Sequence, residues 1–215
     1  GRDAWWLETS EIREKYNSDL LDFVPQNSEP STQGPMDVWV RNTLHSIMEG
    51  MEKPISILDI GCNYGKHLGM FKNEMGIDEV WGTDVSEKIK AISHDYVKRY
   101  FGYSERDIPI RVGFFEDMKW SRSFSITFCS NVIEHIPDWF EFFTNLLYIS
   151  KRASLVIVPK DQSWNWTEDH VHIFDDEKIL EMNNYAINNG FVSRTDIVED
   201  NTSPGQYWYC ILYTK

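Results

Sequence analysis

The fold of this chain is decided by one stretch, Ile57-Leu-Asp-Ile-Gly-Cys-Asn-Tyr-Gly-Lys66. Residues 55–60, which overlap the beginning of this stretch, are mostly apolar up to Asp59, as is typical of a central strand covered on both faces. Gly61 and Gly65 then allow the backbone to turn sharply and to approach a ligand closely. A helix follows, and its first N–H groups are free to bind. The stretch therefore predicts a strand, a ligand-binding loop and a helix in succession.

Two common nucleotide-binding motifs fit this loop poorly. A dinucleotide site has the pattern G-x-G-x-x-G, but Asn63 and Lys66 stand where its second and third glycines belong. A P-loop ends in G-K-S or G-K-T, but Lys66 is followed by His67. A tight strand-to-helix turn that binds no ligand is the structural alternative.

Outside the loop, strand-like and helix-like segments alternate. Apolar runs predict strands at residues 55–60, 79–84, 109–114, 124–130 and 153–158. Amphipathic segments predict helices at residues 65–75, 86–101, 138–150 and 175–189. The chain ends in two strand-like runs, 191–199 and 206–214, and the turn-forming segment between them indicates an antiparallel hairpin. The expected fold class is α/β, with a doubly wound, mainly parallel sheet that ends in this hairpin.

The composition restricts the class of protein. The chain has 215 residues and a net charge of −13, so it would be repelled by nucleic-acid phosphates unless it carried a local basic patch. No apolar run approaches the ~20 residues of a membrane span, and the beginning of the chain lacks the apolar core of a signal peptide. The three cysteines, Cys62, Cys129 and Cys210, form neither a disulfide framework nor a zinc-binding pattern. A cytoplasmic protein with a small-molecule partner, rather than a nucleic acid or a membrane, is expected.

The N-terminal part of the chain differs from the rest. Residues 1–24 predict a short amphipathic helix, 25–35 a connector and 36–52 a second helix. The expected organisation is therefore an N-terminal helical cap, residues 1–52, and a main domain, residues 53–215.

The loop Asp59-Ile-Gly-Cys-Asn-Tyr-Gly65 resembles motif I of the class I S-adenosylmethionine-dependent methyltransferases. In that family an acidic residue precedes a loop with alternating glycines. Asn63 replaces the usual middle glycine, but asparagine tolerates a left-handed backbone better than most residues. Further along, Asn131-Val-Ile-Glu-His-Ile-Pro-Asp138 resembles the family branch that reads LEH(I/V)PD, and residues 55–215 have their elements in the family order. The resemblance implies a Rossmann-like, seven-stranded fold and S-adenosylmethionine as cofactor.

The resemblance also implies which residues contact the cofactor. Asp84, at the end of the second strand, would accept hydrogen bonds from the ribose hydroxyls; the alternative is a helix cap, a role that Ser86 can fill itself. Asp117 would face the adenine amino group and Met118 the adenine ring, and a solvated loop acid is the alternative. The expected cofactor-binding residues are Asp59, Gly61, Cys62, Asn63, Tyr64, Gly65, Asp84, Val85, Glu116, Asp117, Met118 and Asn131.

Three polar residues are the candidates for catalysis, Glu134, His135 and His170, and His172 is close by in the sequence. A histidine has an intrinsic pKa of ~6.5, which suits a general base that removes a hydroxyl proton, and Glu134 could orient it. Alternatively, the three residues bind a divalent metal, as a resemblance to metal-dependent O-methyltransferases of the ubiquinone pathway and of small-RNA 3′ ends implies. The RNA enzymes carry E-x-x-E-H…H, and Asn131 replaces the first acid, which weakens such a site. In a third interpretation the residues only hold the loop in place.

Tryptophans surround the expected acceptor site. Trp164 and Trp166 belong to a polar loop, residues 159–168, which would cover the open end of the sheet. They either stack on a sugar or a flat ring, or fix the loop to the body. With them, an aromatic pocket could be lined by Trp5, Trp6 and Trp39.

The function expected from these residues is S-adenosylmethionine-dependent O-methylation of a small hydroxylated acceptor, such as a sugar. Methylation of a small amine, metal-dependent 2′-O-methylation of RNA and a non-catalytic binding protein are the alternatives. An amine would need no histidine base, and an RNA would need a basic groove. A protein that no longer uses the cofactor would not be stabilised by it.

Overall fold

The computed structural model describes residues 33–160, 170–201 and 204–215, and their strands form one seven-stranded sheet. The strands are β1 (Ser56–Ile60), β2 (Glu79–Asp84), β3 (Ile110–Val112), β4 (Phe124–Ser130), β5 (Ser150–Pro159), β6 (Val192–Glu199) and β7 (Tyr207–Thr214). Their order across the sheet is β3-β2-β1-β4-β5-β7-β6. Neighbours among β1 to β5 are parallel, and β7 is antiparallel to both β5 and β6. The expected α/β sheet with its C-terminal hairpin is confirmed.

The strand order reverses direction between β1 and β4. From β1 the chain proceeds outward through β2 to β3, and it then returns to place β4 on the other side of β1. In open α/β sheets the crevice outside the carboxyl ends of the strands at such a reversal is where ligands bind. The segments that follow β1, β2 and β4 therefore surround the expected ligand site.

Helices cover both faces of the sheet. They are α1 (Pro35–Met48), α2 (Lys66–Gly69), which continues as a π-helix (Met70–Glu74), α3 (Glu87–Phe101), α4 (Trp139–Ile149) and α5 (Asp176–Asn188). Apolar residues of the first three helices, such as Leu44, Phe71 and Val97, form one core cluster with the sheet. Residues of the last two, such as Phe142 and Met182, form a second cluster. Burial of the sheet between two helical layers explains why all five residues of β1 are buried and most of them are apolar.

Three predicted elements differ from the observed ones. The helix expected at 36–52 is α1, which ends at Met48. The strand expected at 109–114 ends at Val112, because Gly113 turns away with a φ of 141°. The helix expected at 65–75 is α-helical only as far as Gly69; the turn after it is wider, and the N–H of Met75 bonds to the carbonyl of Met70. The remaining elements of the main domain begin and end within three residues of their predicted positions.

Helix α1 packs against the body of the protein. Its Val40 and Leu44 side chains are fully buried. Trp39 Nε1 donates a hydrogen bond of 2.8 Å to Asp196 Oδ2 on β6, so this tryptophan has a structural partner. Residues 1–32 of the expected cap, with Trp5 and Trp6, lie outside the described residues, as do Trp164 and Trp166. The domain boundary at residue 52 stays a prediction.

The described helices were also compared with the requirements of a membrane span. None of them combines the length and the apolar character that crossing a bilayer requires.

Candidate functional site

The glycine loop after β1 turns through left-handed residues. The φ angles are 73° at Gly61, 47° at Asn63 and 89° at Gly65. Asn63 therefore adopts the left-handed backbone that was expected of it. The N–H groups of Gly61 and Cys62 each donate to the carbonyl of Thr83 at 2.9 Å, which ties the loop to the end of β2. The loop is held by the sheet itself and does not depend on a glycine at position 63.

Asp84 lies where the loop meets the end of β2. Its Oδ2 accepts a hydrogen bond from the N–H of Asn63 at 3.1 Å, and its Oδ1 accepts one from Ser86 at 3.3 Å. Ser86 caps α3 by accepting from the N–H of Ile89, so the cap does not require Asp84. Burial raises the pKa of Asp84 to about 6, although backbone N–H groups, including that of Val85, favour its charged form. The structure thus holds an oriented carboxylate beside the loop.

Asp59 is a second buried carboxylate, near the end of β1. Burial, and after it the charge of Asp84, raise the pKa of Asp59 well above its usual value. Its Oδ2 atom has no hydrogen-bond partner among the described residues. Burial and the charges of both carboxylates also raise the pKa of the Cys62 thiol. A buried oxygen without a donor needs an explanation, and a ligand that brings a donor supplies one.

The segment after β3 carries the residues expected to face the adenine. It forms a short 3₁₀ turn, Phe115–Asp117, whose Phe115 is buried against Phe142 with ring centroids 5.2 Å apart. Glu116 and Asp117 are exposed, and Met118 is half-buried. The turn is anchored by its aromatic residue and presents the two acids outward, so the adenine contact of Asp117 stays a prediction.

Asn131 and Val132 bring the end of β4 up to the glycine loop. Asn131 has a left-handed φ of 53°, and its N–H donates to the carbonyl of Ile157 at 2.9 Å. Val132 packs against Gly61 so closely that a Cβ on Gly61 would clash with Val132 Cγ2. The close approach requires a glycine at position 61 and places the residues after β4 next to the loop.

Glu134, His135 and His170 come together beyond the end of β4. Each offers one atom of a metal-ligand type, and these atoms lie within 4.8 Å of one another. The two imidazole rings meet edge to face, with centroids 4.8 Å apart, and His135 Nε2 lies 3.9 Å from Glu134 Oε1. Glu134 is 1% exposed, whereas both histidines are half-buried. The arrangement places a buried acid behind two imidazoles that reach the surface.

Backbone hydrogen bonds bring His170 to this position. The N–H groups of Val171 and His172 both donate to the carbonyl of Glu134, at 3.0 and 3.1 Å. The His172 side chain turns elsewhere, since its Nε2 lies 2.9 Å from the carbonyl oxygen of Pro137. His172 therefore belongs to the structure that holds the cluster, whereas His170 is a member of it.

Sequence reasoning missed one cluster of charges beside the loop. Lys66 Nζ donates to Asp37 Oδ2 at 2.6 Å, and His67 Nε2 lies 3.1 Å from Asp37 Oδ1. Asp37, in the first turn of α1, is 3% exposed. Burial raises the pKa of Asp37, but the hydrogen bond and charge of His67 and the charge of Lys66 outweigh it, so this pKa lies below its usual value. The only feature of the sequence that pointed to this cluster was a lysine directly after the loop.

A substitution at Gly61 tests the close approach. Gly61→Ala is expected to destabilise the protein by about 1–3 kcal/mol more than Gly102→Ala, because its methyl group must displace Val132. Gly102 is a matched control: its φ is 78°, close to the 73° of Gly61, and a Cβ there meets nothing within 4 Å. Urea unfolding of both variants measures the difference. Equal losses of stability would show that the backbone angle, and not the contact, requires glycine at position 61.

Comparisons with known proteins agree with this fold. A family model described as a methyltransferase domain matches residues 57–152. Magnesium protoporphyrin IX methyltransferase from Synechocystis PCC 6803, solved with bound S-adenosylhomocysteine, is 15% identical with a TM-score of 0.67 over 96% of this chain and 99% of that chain. The methyltransferase domain of a bacterial Hen1 protein is 15% identical with a TM-score of 0.62 over 82% and 97% of the two chains.

A methyltransferase of Haloferax volcanii, solved in complex with the Trm112 methyltransferase activator, is 14% identical with a TM-score of 0.68 over 93% of this chain and 97% of that one. No curated protein sequence matches the chain. At these identities the solved structures establish the shared fold, and they leave the reaction to be argued from the site.

Proposed function

We propose that the chain is a class I S-adenosylmethionine-dependent methyltransferase and that it methylates a hydroxyl group of a small acceptor. The observation that carries the proposal is the cluster of Glu134, His135 and His170 beyond the end of β4. A hydroxyl must lose its proton when it attacks a methyl group, whereas an amine only has to be unprotonated. Two imidazoles beside a buried acid suit the methylation of a hydroxyl, because an imidazole can accept the proton.

The residues around the loop fit the cofactor. A nucleoside has ribose hydroxyls that need acceptors, and the loop holds the Asp84 carboxylate in place for them. The Asp59 oxygen without a partner offers a further acceptor. The remaining expected contacts, from the loop, from Asp117 and Met118 and from Asn131, lie along the same carboxyl edge of the sheet.

In the proposed reaction the cofactor supplies a methyl group that its sulfonium charge already activates. The acceptor oxygen forms the new bond to the methyl carbon as the bond to sulfur breaks, and the chain mainly provides alignment. The hydroxyl proton passes to an unprotonated ring nitrogen of His135 or His170. The charge of Glu134, whose Oε1 lies 3.9 Å from His135 Nε2, would stabilise the imidazolium that forms. The proton then leaves to solvent.

The charge of the chain favours a particular class of acceptor. A net charge of −13 suits a neutral or cationic molecule and disfavours a polyanion. Sugars and other polyols meet this condition and carry the hydroxyl groups that the histidines would deprotonate. The fold does not choose the acceptor, because one similar structure is named for a porphyrin and another is a Hen1 domain.

An acceptor screen tests the proposal. The purified chain is incubated with methyl-labelled S-adenosylmethionine and either a panel of sugars and polyols or a panel of small amines. We expect labelled O-methyl products, identified by the NMR shift of the transferred methyl group. Turnover confined to the amine panel, with N-methyl products, would overturn the proposal in favour of an N-methyltransferase.

The same cluster supports a second candidate, a metal-dependent 2′-O-methyltransferase of RNA. Glu134, His135 and His170 offer a carboxylate and two imidazoles within 4.8 Å, a set that binds divalent transition metals. Activity that disappears with EDTA and returns with Mn²⁺, on an RNA 3′ end but not on a sugar, would establish this candidate. Binding to RNA that weakens steeply with salt would accompany it.

A further inference from the structure

The charged cluster behind the glycine loop lies outside every contact assigned so far. Asp37 reaches from α1 to Lys66 and His67, the two residues that directly follow the loop. Burial raises the pKa of the Tyr64 phenol, inside the loop, and the nearby charge of Asp37 raises it further. Helix α1 is thus joined to the loop by one buried carboxylate.

The two partners of Asp37, Lys66 and His67, are held differently. The His67 ring packs between aromatic neighbours, 6.0 Å from the Phe71 ring and 4.9 Å from the Phe128 ring, centroid to centroid. The Lys66 side chain is 25% exposed, and its ammonium carries three N–H donors, of which Asp37 takes one. Lys66 is therefore an oriented cation that keeps donors for a further partner, next to a loop that binds a charged cofactor.

We propose that Lys66, oriented by Asp37, binds the carboxylate at the methionine end of S-adenosylmethionine. This end of the cofactor carries one carboxylate and one ammonium group. A carboxylate that leaves water needs charged donors, and a hydrogen bond between two charged groups is stronger than a neutral one. The inference rests on the cofactor of the proposed function and is independent of which acceptor is methylated.

Binding measurements with two ligands test the inference. S-adenosylhomocysteine carries the amino-acid end, whereas 5′-methylthioadenosine has the same nucleoside without it. Lys66→Met is expected to weaken binding of S-adenosylhomocysteine about tenfold or more and to change binding of 5′-methylthioadenosine by less than twofold. Lys66→Arg, which keeps the charge, is expected to recover most of the affinity. Isothermal titration calorimetry gives all the constants.

Lys151→Met is the matched control, because it removes one positive charge from an exposed position at the start of β5, at the opposite edge of the sheet. It is expected to leave both affinities unchanged. If Lys66→Met weakens the two ligands equally, Lys66 only supports the loop and the inference is wrong. Unchanged binding of both ligands overturns it as well.

Two further outcomes are distinguishable. If Lys66→Met does not fold, Lys66→Gln replaces it, because glutamine keeps a donor for Asp37. The same comparison then applies: the variant must weaken binding of S-adenosylhomocysteine and not binding of 5′-methylthioadenosine. If the wild-type chain binds 5′-methylthioadenosine but not S-adenosylhomocysteine, the inference is overturned. The O-methyl products of the acceptor screen test the proposed reaction separately.

Discussion

Replacing both His135 and His170 by alanine is expected to lower kcat for O-methylation by about 10²–10⁴-fold, because the acceptor hydroxyl loses the group that takes its proton. The two rings contact each other, with centroids 4.8 Å apart, so one can partly substitute for the other. Each single variant should therefore lose less than the double variant. The comparison shows which imidazole acts as the base and whether the pair is coupled.

The double variant should still bind the cofactor. Its affinity for S-adenosylhomocysteine, measured by calorimetry, is expected to stay within threefold of the wild-type value, because the expected cofactor contacts lie elsewhere. His45→Ala, on the exposed side of α1, serves as the control for loss of a histidine. A double variant that keeps its kcat would show that alignment alone drives the reaction. That result would favour methylation of an amine over methylation of a hydroxyl, since an amine needs no base.

A second large effect is expected at Asp84. Removing its carboxylate with Asp84→Ala should weaken binding of S-adenosylhomocysteine by about 10²–10³-fold, if two ribose hydroxyls each lose a hydrogen bond to a charged group. The same substitution also removes the acceptor of the Asn63 N–H, which holds the loop. Asp84→Glu, which keeps the charge but moves it, is expected to give an intermediate affinity.

The raised pKa of Asp84 adds a dependence on pH. Hydrogen bonds from the ribose favour the charged carboxylate, so the bound state should have a lower pKa than the free state, where it is about 6. Affinity is therefore expected to be constant above pH 7 and to fall as the pH drops through 6. Asp59 is buried beside Asp84 and its pKa is also raised, so it titrates as part of the same pair.

Titrations with S-adenosylhomocysteine between pH 5 and 8 measure this dependence. In Asp84→Asn, which cannot ionise at this position, the step near pH 6 should disappear. Asp95→Asn is the control, because Asp95 forms an exposed ion pair with Arg99 on α3 and does not contact the loop. An unchanged step in Asp84→Asn would assign the titration to Asp59 or to another group.

The predicted sheet agrees with the observed one because its signals are local. A short, mostly apolar run such as the one in β1 is typical of a central strand covered on both faces, and all five residues of β1 are buried. The segment between β6 and β7 is rich in turn-forming residues, which indicated the hairpin. The strand after residue 109 ended early for a reason that no pattern shows, the φ of 141° at Gly113.

The candidate site was only partly accessible from the sequence. The histidines and Glu134 were singled out as residue types, but their meeting depends on two backbone hydrogen bonds from Val171 and His172 to Glu134. The pairing of Asp37 with Lys66 joins two helices that are separated along the chain by a strand and the loop. No periodicity links such positions.

The sequence by itself determined the alternation of strands and helices, the left-handed loop after β1 and the types of polar residue at the carboxyl edge. These depend on short-range properties: apolar patterning, and the backbone angles that glycine and asparagine tolerate. Only the tertiary structure decided that Val132 closes on Gly61, that His170 and not His172 joins His135, and that Asp37 orients Lys66. Such contacts depend on how distant segments pack against one sheet, because each is set by the positions of atoms far apart in the chain.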